Sequence, residues 1–224
     1  VKSLSAIDRL AIAISVLIFA AAIWVALYGP TSPIPLHFDS SGNADRYGSR
    51  NELAATLGVI GVLNLLVSAF TSHQSKQATD PVRSKALRNG QLMSVLIVAG
   101  VAVMIGWTSL GPQAATGTNN MSVTLAFTAA ICVLAGAMLG KVGPNPFIGV
   151  KTPWAYKSRL AWDKSNRLAG RLMFALGLIG LAASPFAPQP VSTVVFVACI
   201  LGAGAWAVYE SWRVWRNDPE AEPF

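Results

Sequence analysis

LAIAISVLIFAAAIWVALY, residues 10 to 28, contains no charged side chain and is long enough to cross hydrocarbon as one helix. Five further runs share its character: Leu53 to Phe70, Leu92 to Leu110, Met121 to Leu139, Leu172 to Phe186 and Val191 to Tyr209. The runs are about 15 to 19 residues long, against the roughly 20 that span a bilayer, and the fifth reaches that length only if it begins near Leu168. The composition agrees, since 53% of the 224 residues are hydrophobic and only 12% charged, too apolar for an ordinary soluble domain. The expectation is an all-α polytopic membrane protein, a single membrane domain over residues 1–224 with six transmembrane helices.

Sidedness follows from the cations, because Lys and Arg near helix ends are retained on the cytoplasmic side during insertion. With the N-terminus inside, the inner segments hold Lys2 and Arg9, then Lys76, Arg83, Lys85 and Arg88, then the seven from Lys141 to Arg171, then Arg213 and Arg216. Of the 17 Lys and Arg only Arg46 and Arg50 fall outside. The pattern predicts an N-in, C-in topology, and it accounts for the net charge of +7 through anionic lipid headgroups at the inner face, with no direct nucleic-acid binding. Trp24, Tyr28 and Trp107 fall toward outer helix ends, and Trp206, Tyr209, Trp212 and Trp215 toward the inner end of the last span, as interface anchors do. The first run is longer than the apolar core of a cleaved signal and reads as a retained signal-anchor. The acidic end, Asp218, Glu220 and Glu222, reads as a short solvated tail.

Within the six apolar cores there is no Asp, Glu, Lys, Arg or His, and Asn64 is the one amide. Ion-coupled transporters normally place an ionisable group at membrane depth, so transport is disfavoured. Gly136 and Gly140 have the GxxxG spacing, read as close helix packing within the bundle. Cys132 and Cys199 match no metal or redox spacing and read as packing residues.

Two extramembrane segments carry more chemistry. The outer loop, residues 29–52, reads GPTSPIPLHFDSSGNADRYGSRN from Gly29 to Asn51. Pro30, Pro33 and Pro35 favour extended chain, and Ser41-Gly42-Asn43 signals a turn. His37, Asp39 and Asp45 there are able to supply metal ligands or an acid–base pair, or to bond the loop's own backbone and fix its turns. The inner segment, residues 145–171, reads NPFIGVKTPWAYKSRLAWDKSNRLAGR. Asn145 and Pro146 end the fourth span, Gly149 permits a tight bend, and Thr152 before Pro153 has the form of a helix N-cap with proline at the first helical position. From Trp154 onward, Leu160, Ala161, Leu168 and Leu172 can share an apolar side while Lys157, Arg159, Lys164 and Arg167 reach headgroups or a partner. That profile predicts an inner interfacial helix before the fifth span.

The inner segment resembles the signature of the SdpI family of bacterial membrane proteins, N-x-F-I-G-[IV]-R-T-P-W followed by W-x-x-T-H-R and a glycine. It stands here as Asn145, Phe147, Ile148, Gly149, Val150, Lys151, Thr152, Pro153 and Trp154, then Trp162, Ser165, Asn166, Arg167 and Gly170. The outer loop is similar to the small domain of unknown function that often precedes that signature, through Ile34-Pro35, His37-Phe38, Asp39, Gly42, Asp45 and Gly48-Ser49-Arg50. The resemblance implies a multi-pass protein of the bacterial cytoplasmic membrane and a non-enzymatic immunity or signalling role. In that role the protein protects against a secreted peptide toxin and retains a cytoplasmic transcriptional repressor at the membrane. The candidate partner-binding residues are then Asn145, Phe147, Gly149, Lys151, Thr152, Pro153, Trp154, Trp162, Asn166 and Arg167, with no cofactor and no metal.

Two positions depart from the pattern. Lys151 stands for arginine and keeps the charge without the planar fork, and Ser165-Asn166 stands for Thr-His and removes an imidazole. The competing expectation is a membrane-embedded enzyme acting on a lipid or peptide through His37, Asp39 and Asp45.

Overall fold

The computed structural model describes residues 4–112, 114, 121–144 and 148–222. Among these lie seven helices and one hairpin: α1 (Ala6–Tyr28), β1 (Ile34–Phe38), β2 (Ala44–Gly48), α2 (Arg50–Gln77), α3 (Pro81–Leu110), α4 (Met121–Leu139), α5 (Pro153–Lys157), α6 (Arg159–Ala183) and α7 (Val191–Arg216). Six of them, all but α5, are long and apolar enough to cross a membrane. The protein is the all-α polytopic membrane protein that the apolar runs imply.

Helix starts are set by side-chain caps. Ser5 Oγ accepts from the Asp8 N–H while Asp8 Oδ2 accepts from the Ser5 N–H, a reciprocal capping box opening α1. Ser49 caps α2 through the Glu52 N–H, and Pro81 opens α3 behind Asp80, whose carboxylate accepts from the Arg83 N–H. The Asp80 cap starts α3 ahead of its apolar run and α2 continues to Gln77, so both extend into polar sequence at the end where they meet.

The helices form two groups, with α1, α2 and α3 packed together, α4, α6 and α7 packed together, and α3 against α4 joining them. The first group closes over Ile18, Ala22, Val25, Ile34, Leu53 and Leu57. Asn64 donates to the Ala11 carbonyl and to Ser15 Oγ, so the amide at membrane depth ties α2 to α1. The second group closes over Leu125, Ala129, Cys132 and Phe196, and beside them Leu139, Ala169 and Ala207. Around both groups, large apolar side chains such as Leu17, Ile23, Leu66, Ile179 and Leu201 point outward, as a lipid-facing surface requires.

The α4–α6 crossing is backbone on backbone. A Cβ on Gly136 would lie 2.5 Å from the Phe174 nitrogen and 2.7 Å from the Gly170 carbonyl oxygen, and one on Gly170 would lie 2.9 Å from the Gly136 oxygen. The glycine spacing therefore serves packing inside the bundle.

Two expectations change. The outer loop is a β-hairpin, with Ile34 opposite Gly48 and Phe38 opposite Ala44, and with register shifts on either side of His37. Its turn holds Gly42 at φ 87°, and Ile34 is buried against α1 and α2. The inner interfacial helix is also revised. α5 starts at the expected Thr152 cap but ends after five residues, because Ser158 caps a new helix through the Ala161 N–H. α6 then runs unbroken from Arg159 to Ala183, and the fifth span begins some nine residues before Leu168. Its buried face is Ala161, Trp162, Ser165, Asn166, Ala169 and Gly170, while Leu160 is exposed. A hydropathy count misses this face because it is small and polar, and because the cations all lie on the opposite side.

Gly136→Leu should destabilise the folded protein by about 1–3 kcal/mol or prevent folding, since neither backbone can retreat. Gly202→Ala, where a Cβ meets nothing within 4 Å, should leave the melting temperature of detergent-solubilised protein unchanged.

Candidate functional site

Downstream of α4 the chain turns back and re-enters the bundle as α6. Of the signature residues, Asn145 and Phe147 lie outside the described residues. The described part of the connection is held by side chains from α6 and α7. The Trp162 indole, completely buried, donates through Nε1 to the Val142 carbonyl at 2.8 Å. Asn166 accepts the Val150 N–H through Oδ1 at 2.8 Å and donates through Nδ2 to the Trp162 carbonyl at 2.9 Å. Ser165 returns its hydroxyl to the Ala161 carbonyl at 2.7 Å.

Gly149 sits directly above these groups at φ 135°, where a Cβ would lie 2.8 Å from Asn166 Oδ1 and 3.0 Å from the Trp162 ring. Both its backbone conformation and its close approach demand glycine.

Thr152 links the segment to α7. Its hydroxyl caps the Ala155 N–H at 3.1 Å and meets Ser211 Oγ at 2.7 Å. Because Ser211 donates to the Val208 carbonyl, Thr152 donates to Ser211, and both hydroxyls are satisfied. The C-terminal residues are not a free solvated tail. Ser158 Oγ donates to Asp218, the Glu222 N–H donates to the Lys157 carbonyl, and Trp215 donates to the Glu222 carbonyl. Of the acidic side chains there, Glu220 and Glu222 remain exposed while Asp218 is half-buried.

The outward side of the same end is basic. Lys151, Pro153, Tyr156, Arg159, Lys164 and Arg167 are exposed and Trp154 is half-buried, with the Tyr156 ring 5.5 Å from that of Trp162. Arg159 pairs with Asp163 and Arg213 with Glu210, and Arg216 lies over the Trp212 ring. The signature thus divides into an inner set, Gly149, Thr152, Trp162 and Asn166, and an outer set led by Lys151 and Arg167.

At the opposite end of the first group, His37 Nδ1 bonds Asp45 Oδ1 at 2.6 Å on the exposed face of the hairpin. Asp39 does not join them. Its Oδ1 accepts the Ser41 and Asn43 N–H groups at 2.8 and 2.9 Å, and these bonds, that of Asn43 foremost, hold its carboxyl below the usual carboxylate range. Arg50 donates to the Leu27 and Gly29 carbonyls, capping the C-terminal end of α1, and Arg46 pairs with Glu52. Pro35 is buried and Phe38 half-buried beneath the hairpin. Among the described residues no three His, Cys, Asp or Glu side chains come close enough to share a metal ion.

One polar cluster escapes a reading of the sequence. Asp8, 6% exposed, accepts from Arg88 Nη1 and Gln91 Nε2 at 2.9 Å each, with Lys76 at 4.0 Å, and Gln91 also donates to Ser68 Oγ at 2.7 Å. The available signal was the Ser5–Asp8 capping box, which places Asp8 inside the first helical turn, and the polar Arg88 and Gln91 three residues apart before an apolar run.

Fold and site together define a helical multi-pass membrane protein whose last spans close around a hydrogen-bonded, glycine-hinged connection. Residues 141–210 match the SdpI/YfhL protein family, and the chain carries an SdpI-family domain there. The match begins in the connection after α4 and takes in α5, α6 and most of α7, leaving the hairpin outside. No curated protein and no solved structure shows significant similarity to the chain.

Asn166→Leu, which strands the Val150 N–H, should cost about 1–3 kcal/mol of stability. Asn166→His should hold near neutral pH, where a neutral ring nitrogen accepts the same N–H. A charged ring has no lone pair to offer, so that contribution should be complete above about pH 6.5 and should be lost on acidification. Melting curves across pH check both. Asp39→Ala should lower the amide protection factors of Ser41 and Asn43, the exchange measured relative to the intrinsic rate at the same pH, and acidification should lower them in the parent protein as the depressed carboxyl becomes protonated.

Proposed function

We propose that the protein is an immunity or signalling protein of the SdpI type in the cytoplasmic membrane of a bacterium, with both termini inside. It protects the cell from a secreted peptide toxin sensed from the outer or intramembrane side, and it docks a cytoplasmic protein, a transcriptional repressor in the fullest form of the reading. What supports the reading is the coincidence of the family match with a connection whose described residues are held by buried side-chain hydrogen bonds.

The docking surface is the outer set, Lys151, Trp154 and Arg167, with Lys164 and Tyr156 between them. Thr152, Trp162 and Asn166, whose side chains are buried, and Gly149, whose backbone lies against Asn166 and Trp162, contribute by fixing the loop and helix that present it. An acidic partner face suits this rim, whose cations outnumber its carboxylates. The hairpin end supplies the outward surface.

A second reading keeps one specific observation in its favour. The His37–Asp45 contact orients an imidazole with a carboxylate on an exposed face, the arrangement an acid–base catalyst acting on a lipid or peptide would use. Turnover of such a substrate, abolished in His37→Ala, would replace the first reading.

Combined substitution of Lys151, Trp154 and Arg167 by alanine should weaken capture of the docked protein about tenfold or more and sensitise cells to the toxin. Fractionation should still find the variant in the membrane. Unchanged survival and unchanged capture in correctly inserted variants would overturn the proposal.

A further inference from the structure

The buried Asp8 cluster borders a pocket of about 310 Å³ between α1 and α2. Its walls are apolar on the hydrocarbon side, from Ile12, Leu65 and Ala69, and polar at the mouth, from His73 and Lys76. Ala69 and His73 also line a second, shallow apolar groove on the outward side of α2, with Leu66 and Phe70. The two apolar spaces therefore meet at Ala69 and His73, with Lys76 beside His73 in the first of them.

The charge at that point is positive and available. Both oxygens of Asp8 are already occupied, Oδ1 by Arg88 and Gln91 and Oδ2 by the Ser5 N–H. Arg88 is thereby neutralised within the cluster. Lys76 Nζ stands 4.0 Å from Asp8 Oδ2, beyond hydrogen-bond distance, so it is attracted to the carboxylate without giving up its donors. An ammonium-bearing group finds no open carboxylate oxygen here, whereas a phosphate finds Lys76 and, beside it, His73.

The depth is that of a headgroup. α2 has 28 residues and measures about 42 Å at 1.5 Å per residue, longer than the roughly 30 Å of hydrocarbon. Its first turn is fixed at the opposite surface by the hairpin, so the overhang falls on the last turns, where His73 and Lys76 lie. Leu65, Leu66, Ala69 and Phe70 sit one to two turns deeper, at acyl-chain level.

We propose that this site binds one anionic phospholipid, its phosphate held by Lys76 and His73 and its two acyl chains in the grooves on either side of Ala69. The lipid would wedge against α1 and α2 beside the Asp8–Arg88 cluster and stabilise the end of the bundle where α1, α2 and α3 meet.

The test uses the full chain, purified in detergent and stripped of lipid, with binding followed by native mass spectrometry and by melting temperature. Phosphatidylglycerol should bind and raise the melting temperature, and phosphatidylcholine should do neither. Lys76→Gln combined with His73→Gln should weaken phosphatidylglycerol binding about fivefold or more, the effect of losing a cation at the membrane surface. Ala69→Trp, which obstructs both grooves without altering charge, should weaken it similarly and decides the matter alone if the double variant does not fold. Arg171→Gln, an exposed cation on α6 that lines neither groove, should change nothing. Equal binding of the two lipids, or undiminished binding in these variants, overturns the proposal. Glycerol 3-phosphate binding as tightly as the lipid would also overturn it, by showing a site for free phosphate with no use for the tails.

Discussion

A chain that turns back at the edge of hydrocarbon must satisfy every backbone group that the turn withdraws from a helix, because no water reaches the bilayer core to do so. Between α4 and α6 that obligation falls on side chains from the helices themselves. The Trp162 indole takes the Val142 carbonyl, the Asn166 amide takes the Val150 N–H, and Thr152 spans to Ser211 on α7. The segment cannot slide without stranding several of these groups together. The helices on either side of it, α4 and α6, approach until Gly136 and Gly170 meet backbone to backbone.

The first three spans meet the same requirement at the same end by a different route. There the link is charged, with Asp8 of α1 held by Arg88 and Gln91 of α3 and approached by Lys76 of α2. A carboxylate so nearly enclosed is tolerable only when its oxygens are filled by well-placed donors, and removing one partner would cost more than the pair contributes over an apolar replacement. The second group uses neutral amides and hydroxyls, whose burial is far less costly. Its cations are left on the outside, where they outnumber the carboxylates of Asp163 and Glu210.

The six helices were legible because span length is imposed by the bilayer, and an uninterrupted apolar run of that length has few other uses. Their ends were less so, since Ser49, Asp80 and Ser158 extend helices through polar sequence that a hydropathy count assigns to loops. The hairpin could be seen only as extended chain and a turn, because pairing Ile34 with Gly48 is a non-local fact. The inner face of α6 was hidden for a different reason. Beyond the expected Ala161 it is made of Ser165, Asn166, Ala169 and Gly170, residues suited to it by small size and hydrogen bonding, whereas the apolar count favoured Leu160 and Leu168. Asp8 escaped notice because it stands just ahead of its apolar run, and only the helix cap brings it inside.

The two departures from the family pattern fall on opposite sides of this construction, and their physical consequences differ accordingly. Asn166 is inside, where the requirement is one acceptor aimed at Val150 and one donor aimed at the Trp162 carbonyl. An amide fulfils both with no protonation state to control, whereas an imidazole fulfils them only as one neutral tautomer. This chain's version of the connection is therefore insensitive to pH at that position. Lys151 is outside, on the exposed face of the segment. A lysine there offers a point charge in place of a planar fork, so whatever meets the rim at this position is attracted by charge and is not gripped bidentately. The inner residues thus decide the shape of the surface, and the outer ones decide how selectively it binds.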